Sequence, residues 1–228
     1  MIIEKYGIKL IRLKESDIEL LRLKRNSTLV NSLMHERNII SPEMQLKWFE
    51  SINTIHNNYF IIEYNNQKIG LVNGKNSDYE NRQSEGGMFL WEQDYFGTLI
   101  PSLCSVIMSD FTFLINEFEK NYIKILKSNL NAINYNKKLG YVSTKDYLSD
   151  EEIEWYILTK DVYLEKMIKL RIAINNVTGD KWPLTIDNIS FRDDSKSDFE
   201  LLYKPLPAYL KNIVNLILQR EHIPYTLT

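Results

Sequence analysis

The chain has 228 residues, of which 44% are hydrophobic and 25% charged, and a formal net charge of −2. That length suits one domain with a small appendage. Near-neutral charge without a basic stripe excludes nucleic acid as an expected partner. The single cysteine, Cys104, excludes an internal disulfide framework and fits a reducing compartment. No apolar run approaches the roughly 18 residues of a membrane span. The opening Met1-Ile2-Ile3-Glu4-Lys5 lacks the apolar stretch of a secretory leader. A cytoplasmic protein is therefore expected, with no membrane partner and no metal.

Residues 8–13 alternate and read as a first strand, and residues 17–26 as a helix capped by Ser16 or Asp17. Residues 27–40 are polar and irregular but hold Leu33, Met34, Ile39 and Ile40. Ser41-Pro42-Glu43 opens a second helix, with Ser as N-cap, Pro at the first helical position, and Trp48, Phe49 and Ile52 inward. Residues 59–64 and 68–73 are strands joined by the hairpin signal Asn65-Asn66-Gln67, and residues 84–91 add a third. Leu99, Leu103, Val106, Ile107, Phe111, Leu114, Ile115 and Phe118 recur at spacings of three and four, predicting one long helix over 99–118. A strand over 120–128 precedes Asn129-Leu130-Asn131-Ala132, and a short helix ends at Lys138-Leu139-Gly140, where glycine suits a left-handed stop. Residues 141–148 and 152–158 read as an antiparallel pair. Beyond 165, residues 167–174 fit helix or strand, 184–191 form an apolar cluster, and 208–220 form an amphipathic helix.

Residues 129–141 match N-x-x-A-x-x-x-x-x-K-L-G-F/Y, and this stretch resembles the signature of the GNAT acetyltransferase superfamily. The order of elements over about 6–162 resembles the same family. The resemblance implies an α/β GNAT fold: a mixed, mostly antiparallel sheet flanked by helices over residues 1–165. Residues 166–228 would then be a small C-terminal α+β extension. It also implies acetyl-CoA as acyl-donor substrate and a small-molecule amine as acceptor.

Acetyl transfer to an amine requires a held donor, a neutral amine and a stabilised thioester oxygen. A helix N-terminus can bind a pyrophosphate through its backbone N–H groups, and residues 92–98 lead into such a helix. The family pattern there is R/Q-x-x-G-x-G/A. Here Gln93, Gly97 and Thr98 are the candidates, with one glycine where the family has two. Gly86-Gly87 suits a bulge that splays two strands. A backbone N–H near Phe89 or Leu90 would then serve as oxyanion donor. Glu85 is either the base or a solvated strand carboxylate. His35 is a rival base or a structural histidine. The family's acid, a tyrosine seven residues after the motif asparagine, is replaced here by Asn136, with Tyr135 beside it. Either Tyr135 reaches the leaving thiolate or no protein acid is used. Asn129 is expected to contact the pantetheine arm or bridge the split strands.

Arg25-Asn26, Met34, Ile40, Ser41, Glu43 and Phe49 resemble an arrangement in nucleotide-sugar N-acetyltransferases. The favoured acceptor is accordingly a nucleotide-linked 4-amino sugar, with Met34 and Trp48 in its pocket. Two alternatives stay open: acetylation of a protein N-terminus of the ribosomal type, and a catalytically silent GNAT-like binding protein. The extension is expected to form a homodimer contact or to cover the acceptor site, because its last helix needs an apolar partner, or else to stand as a small separate module.

Overall fold

The computed structural model describes residues 1–148 and 150–223. Among these residues nine strands form one sheet in the order β7-β8-β6-β5-β4-β3-β2-β1-β9. They are β1 (Ile2–Lys5), β2 (Ile8–Arg12), β3 (Asn58–Tyr64), β4 (Gln67–Asp78), β5 (Gln83–Leu90), β6 (Lys120–Leu126), β7 (Val142–Ser143), β8 (Ile153–Thr159) and β9 (Ile189–Ser190). All neighbours are antiparallel except β5 and β6. The helices are α1 (Ile18–Asn26), α2 (Thr28–Asn31), α3 (Pro42–Ile52), α4 (Ile100–Asp110), α5 (Leu130–Leu139), α6 (Lys160–Thr178), α7 (Lys196–Tyr203) and α8 (Ala208–Glu221). This is the expected α/β arrangement of a mixed, mostly antiparallel sheet between helices.

Alternation along the strands sends side chains to two cores. Val72, Leu90, Ile123 and Ile125 join α4, α5 and the C-terminal helices on one face. Tyr59, Ile61, Leu71 and Trp91 meet Leu21 of α1 and Phe49 of α3 on the other. Two-residue turns make the tight hairpins. Asn65 and Asn66 have φ of 51° and 60°, as a type I′ turn demands, and asparagine tolerates that region. Tyr6 and Gly7 turn β1 into β2 in the same way. The cap of α3 is as expected, Ser41 Oγ accepting the Met44 N–H at 3.2 Å. Asp17 sits at the N-cap position of α1 but makes no side-chain cap bond. Its carboxylate accepts the Lys14 N–H (3.3 Å) and a bond from Lys68 Nζ (2.6 Å).

Several expectations are corrected. The helix predicted over 99–118 breaks: regular α-helix ends at Asp110, a π-helical turn covers Phe111–Ile115, and Glu117 is left-handed at φ 54°. The apolar spacing continues across the π turn because its residues remain buried, so periodicity could not register the break. The strand predicted over 141–148 shrinks to Val142–Ser143. Residues 27–40 contain the single turn of α2, and β1 was not foreseen. Residues 167–174 are helical, within α6.

The C-terminal residues share the main core. The 165/166 boundary lies inside α6, and β9 pairs with β1 at the sheet edge. Asp110 of α4 is fully buried and accepts bonds from Arg171 Nη2, Tyr163 Oη and the Leu184 N–H (2.9 Å). Burial lowers the Arg171 pKa and the Asp110 carboxylate more than offsets it, leaving the guanidinium above its ordinary value. The apolar face of α8 finds its partner within the chain: Leu210, Val214 and Ile217 are buried, the last two in the main core. Residues 224–228 of the expected extension lie outside the described residues.

Cys104 is fully buried on α4, and burial pushes its thiol up to about 12. The thiolate is the reactive species, so at pH 8 only roughly one thiol in 10⁴ would be ionised even if reached. The native protein is expected to leave an aromatic disulfide reagent unreacted at pH 8 and to consume one equivalent after denaturation. Rapid reaction of the folded protein would contradict this packing.

Candidate active site

The site begins where two strands part. β5 and β6 pair in parallel at Gln83↔Lys120, Ser84↔Asn121 and Glu85↔Tyr122, and pairing stops there. The Trp91 N–H donates to the Ile69 carbonyl at 2.9 Å, which sets the phase of β5 against β4. Backbone groups alternate sides along a strand. Glu85, Gly87 and Phe89 therefore turn their N–H and C=O groups to β4, whereas Gly86, Met88 and Leu90 turn theirs toward β6. On β6 the Lys127 N–H donates to the Glu152 carbonyl at 2.8 Å, so Lys124 and Leu126 face β5. Two open strand edges confront each other across a cleft of about 490 Å³.

This phase narrows the oxyanion expectation of Phe89 or Leu90 to Leu90. The Phe89 N–H belongs to the ladder with Leu71, and the donors facing the gap are those of Met88 and Leu90. The bulge is also elsewhere. Lys75 opposes Glu85 and Asp78 opposes Gln83, so the extra residue lies in β4, at Asn76 with φ 51°. The glycines instead admit two side-chain amides. A Cβ on Gly86 would lie 2.9 Å from Asn121 Oδ1, and one on Gly87 3.2 Å from Asn73 Nδ2. Asn121 cannot easily yield, because its Oδ1 accepts from Tyr141 Oη (2.6 Å) and its Nδ2 donates to Ser84 Oγ (2.9 Å).

The cleft passes through the sheet and has two sides. Met88, Leu90, Ser105, Met108, Thr112, Asn121 and Tyr135 line the side of α4 and α5. Leu33, Met34, His35, Asn73, Lys75, Glu85 and Phe89 line the side of α1 and α3. Glu85 is buried at the point of divergence. Lys75 Nζ lies 2.8 Å from its Oε1 and Asn76 Nδ2 donates to its Oε2 at 3.0 Å. The Asn73 Oδ1 atom is buried without a hydrogen-bond partner and its residue lines the cleft.

Of the residues singled out in the sequence, Met34, His35, Glu85, Phe89, Leu90, Asn129, Tyr135 and Asn136 all line this cleft. Trp48, Gln93, Gly97 and Thr98 do not. Trp48 packs edge-on against Tyr59 at 5.2 Å, in the second core. Thr98 Oγ1 accepts the Ile100 N–H at 3.3 Å, and the first helical bond of α4 comes only from Leu103 to the Leu99 carbonyl (3.0 Å). No acidic residue occupies that first turn, so the start of α4 remains an anion-favouring end. Asn129 does not bridge the strands: its Oδ1 caps α5 by accepting the Ala132 N–H at 3.0 Å. Gly140 ends α5 at φ 107°. Asn136 Nδ2 donates to the Ala132 carbonyl at 2.9 Å. The Tyr135 hydroxyl points to α4, 3.5 Å from the Pro101 carbonyl; burial raises its pKa, partly offset by Ser105 and Ser102.

A family model described as "Acetyltransferase (GNAT) domain" matches residues 8–148. The chain belongs to the GNAT acetyltransferase family. It is an N-acetyltransferase that takes its acetyl group from acetyl-CoA. Solved structures share the GNAT fold. The spermidine N-acetyltransferase of Vibrio cholerae, in complex with CoA and spermine, has a TM-score of 0.59 and 17% identity over 70% of this chain and 99% of that one. A chimera of that enzyme with hSSAT gives 0.60 and 17% over 69% and 98%. A domain from Methanocaldococcus jannaschii gives 0.57 and 22% over 67% and 97%. No curated protein sequence matches the chain. Among the described residues no helix is long and apolar enough to cross a membrane.

The GNAT cleft fits its donor. The open edges at Met88, Leu90, Lys124 and Leu126 offer backbone groups to an extended amide-bearing arm, as an added strand would use them. The free N–H end of α4 suits a pyrophosphate.

Lys75, Asn76, Asn73 and Asn121 also stand at the site, with no signal for it in the sequence. Three are asparagines in a chain rich in them, and none stands in a recognisable motif. Only the cross-strand register places them at the cleft.

Proposed function

We propose that this enzyme acetylates a primary amine of a small polycationic acceptor of the polyamine kind, with Glu85 as the base. The position of Glu85 carries the reading: a buried carboxylate on the α1–α3 side of the cleft, at the divergence of β5 and β6. An ammonium must lose a proton before it can attack. Glu85 would accept that proton while the N–H groups of Met88 and Leu90 face the thioester oxygen. Acetyl-CoA supplies the activated acetyl group. The C–N bond forms as the C–S bond breaks, and the thiolate leaves without a protein acid, a free thiol pKa being on the order of 8.5.

The rim beyond Glu85 supports a second positive charge on the acceptor. Burial raises the Tyr147 pKa, as do the Glu85, Asp146 and Asp78 carboxylates around it. Asp78 and Asp146 have no lysine or arginine within ion-pair distance among the described residues. Tyr147 stacks on Trp155 at 4.5 Å and meets Tyr122 edge-on at 4.9 Å, and aromatic rings suit ammonium groups. The spermine in the Vibrio cholerae complex is a polycation of this kind. Two observations count against the nucleotide-linked amino sugar. Trp48, one wall of its expected pocket, packs in the core, and Lys75 is taken up by Glu85.

The test is CoA-thiol release with acetyl-CoA and three acceptor classes: linear polyamines, a nucleotide-linked 4-amino sugar, and a peptide with a free N-terminus. Turnover fastest with polyamines supports the reading. Preference for the sugar or the peptide replaces the acceptor, and no turnover with any of them defeats the proposal. Tyr135→Phe is expected to lower kcat by no more than about 10-fold, the range of one neutral hydrogen bond. A drop of about 1,000-fold would make Tyr135 the acid after all.

A further inference from the structure

We propose that Lys75 is itself an acetyl acceptor, so that the enzyme modifies its own acceptor pocket when no substrate amine is present. The inference rests on Glu85 being the base, and it concerns a residue for which the reaction otherwise has no role. Lys75 Nζ is a primary amine that lines the cleft and stands 2.8 Å from Glu85 Oε1. That is the hydrogen-bonding distance required between a general base and the amine whose proton it removes. The placement is built into the backbone. Lys75 opposes Glu85 directly across the β4–β5 ladder, and the extra residue at Asn76 follows immediately. Asn76 holds the other carboxylate oxygen, so the Oε1 edge is the one presented to the amine. The lysine is one-quarter exposed, which leaves its amine free to turn within the cleft without being lost to solvent.

A substrate ammonium reaching Glu85 must take the place that Lys75 holds. With acetyl-CoA bound and no acceptor, Lys75 is the amine nearest the base. Glu85 takes one proton from the Lys75 ammonium. The nitrogen lone pair forms the C–N bond to the acetyl carbon, the C–S bond breaks, and its electron pair leaves with the CoA thiolate. The proton that the new amide nitrogen sheds goes to that thiolate or to water. The product is N-acetyl-Lys75 and CoA, with no co-reactant beyond the donor. The amide carries no charge, so Glu85 loses its ion pair with Lys75 and keeps the Asn76 hydrogen bond.

The experiment is incubation of the whole protein with acetyl-CoA, followed by peptide mass spectrometry to locate acetyl groups, with polyamine turnover assayed on the same sample. The expected result is one acetyl group on Lys75, gained at a rate independent of protein concentration and suppressed by a saturating amine. It should be about 100-fold slower in Glu85→Gln. Lys75→Arg should lose the label at this position and gain none elsewhere. Turnover of added amines with Lys75 unmodified overturns the inference and leaves the enzymatic reading intact. Acetylation scattered over surface lysines, equal in the denatured chain, overturns it as chemical background. Absence of both turnover and label overturns it together with the assignment of Glu85. The concentration test uses the unmodified protein, so the outcome does not depend on a variant that folds.

Discussion

Glu85→Gln is expected to lower kcat with any amine acceptor by about 10² to 10⁴, the usual contribution of a positioned general base. Acetyl-CoA affinity should stay within about threefold, because a glutamine retains the shape and lies on the side of the cleft away from α4 and α5. Lys75 makes the change more than a lost proton acceptor. With a neutral amide opposite, its ammonium keeps a place in the cleft but loses its ion pair. Calorimetry with acetyl-CoA should therefore separate the donor site from the chemistry. Lost donor binding in Glu85→Gln would mean that the residue organises the β5–β6 divergence instead. Unchanged kcat would remove Glu85 from the mechanism and leave His35, 4.0 Å from Asp150 on the same side, as the candidate.

Asp110→Ala should cost about 3–5 kcal/mol of stability, the typical result of removing one partner from a buried ion pair. At roughly 2–4 °C per kcal/mol for a chain of this size, thermal unfolding should move down by about 10 °C. Asp110 is fully buried and gathers Arg171, Tyr163 and the Leu184 N–H. Its removal leaves a largely buried guanidinium, still bonded to Tyr6 Oη, without its counter-charge, and strands one backbone donor. The double variant Asp110→Leu with Arg171→Met should recover most of the loss, since apolar groups of similar volume commonly replace such pairs without cost. Calorimetric or urea unfolding of the single and double variants checks this. A loss of under about 1 kcal/mol in Asp110→Ala would mean that water reaches Arg171 and that the network contributes little.

Local signals survived the passage to three dimensions where their partners are close in sequence. Asn129 caps a helix through Ala132, three residues on, and Gly140 closes it through a left-handed backbone. Ser41 and Pro42 start α3 and Asn65-Asn66 turns a hairpin for the same reason. Such groups act within one turn, so their spacing carries the information. Eight of the twelve residues singled out for the site line one cleft. All eight lie on the strand end and short helix of the motif, on β5, or in the loop before α3, the segments whose order resembled the family.

The misses share a different cause. Of the two oxyanion donors expected, Leu90 is in phase with the gap and Phe89 is one residue out of it, and one residue reverses the side to which a strand presents its N–H. That phase depends on a bond between Trp91 and Ile69, which sequence does not reveal. Trp48 has the composition of a pocket wall, yet Tyr59 from a separate strand claims it for the core. Asp110 lies inside the segment predicted as one helix, and no neighbour in sequence marks it as buried. Its meaning depends on Arg171, 61 residues away.

Sequence by itself determined the order of elements, the caps and turns, and the family to which they belong, because short-range hydrogen bonding and apolar periodicity are written in adjacent residues. Tertiary structure alone decided where β5 and β6 part and which backbone donors face the gap. It also decided that Lys75 and Asn76 hold Glu85, and that residues 166–223 join the same core. Those outcomes depend on strand register and on contacts between distant segments, which burial selects only when the whole sheet is assembled.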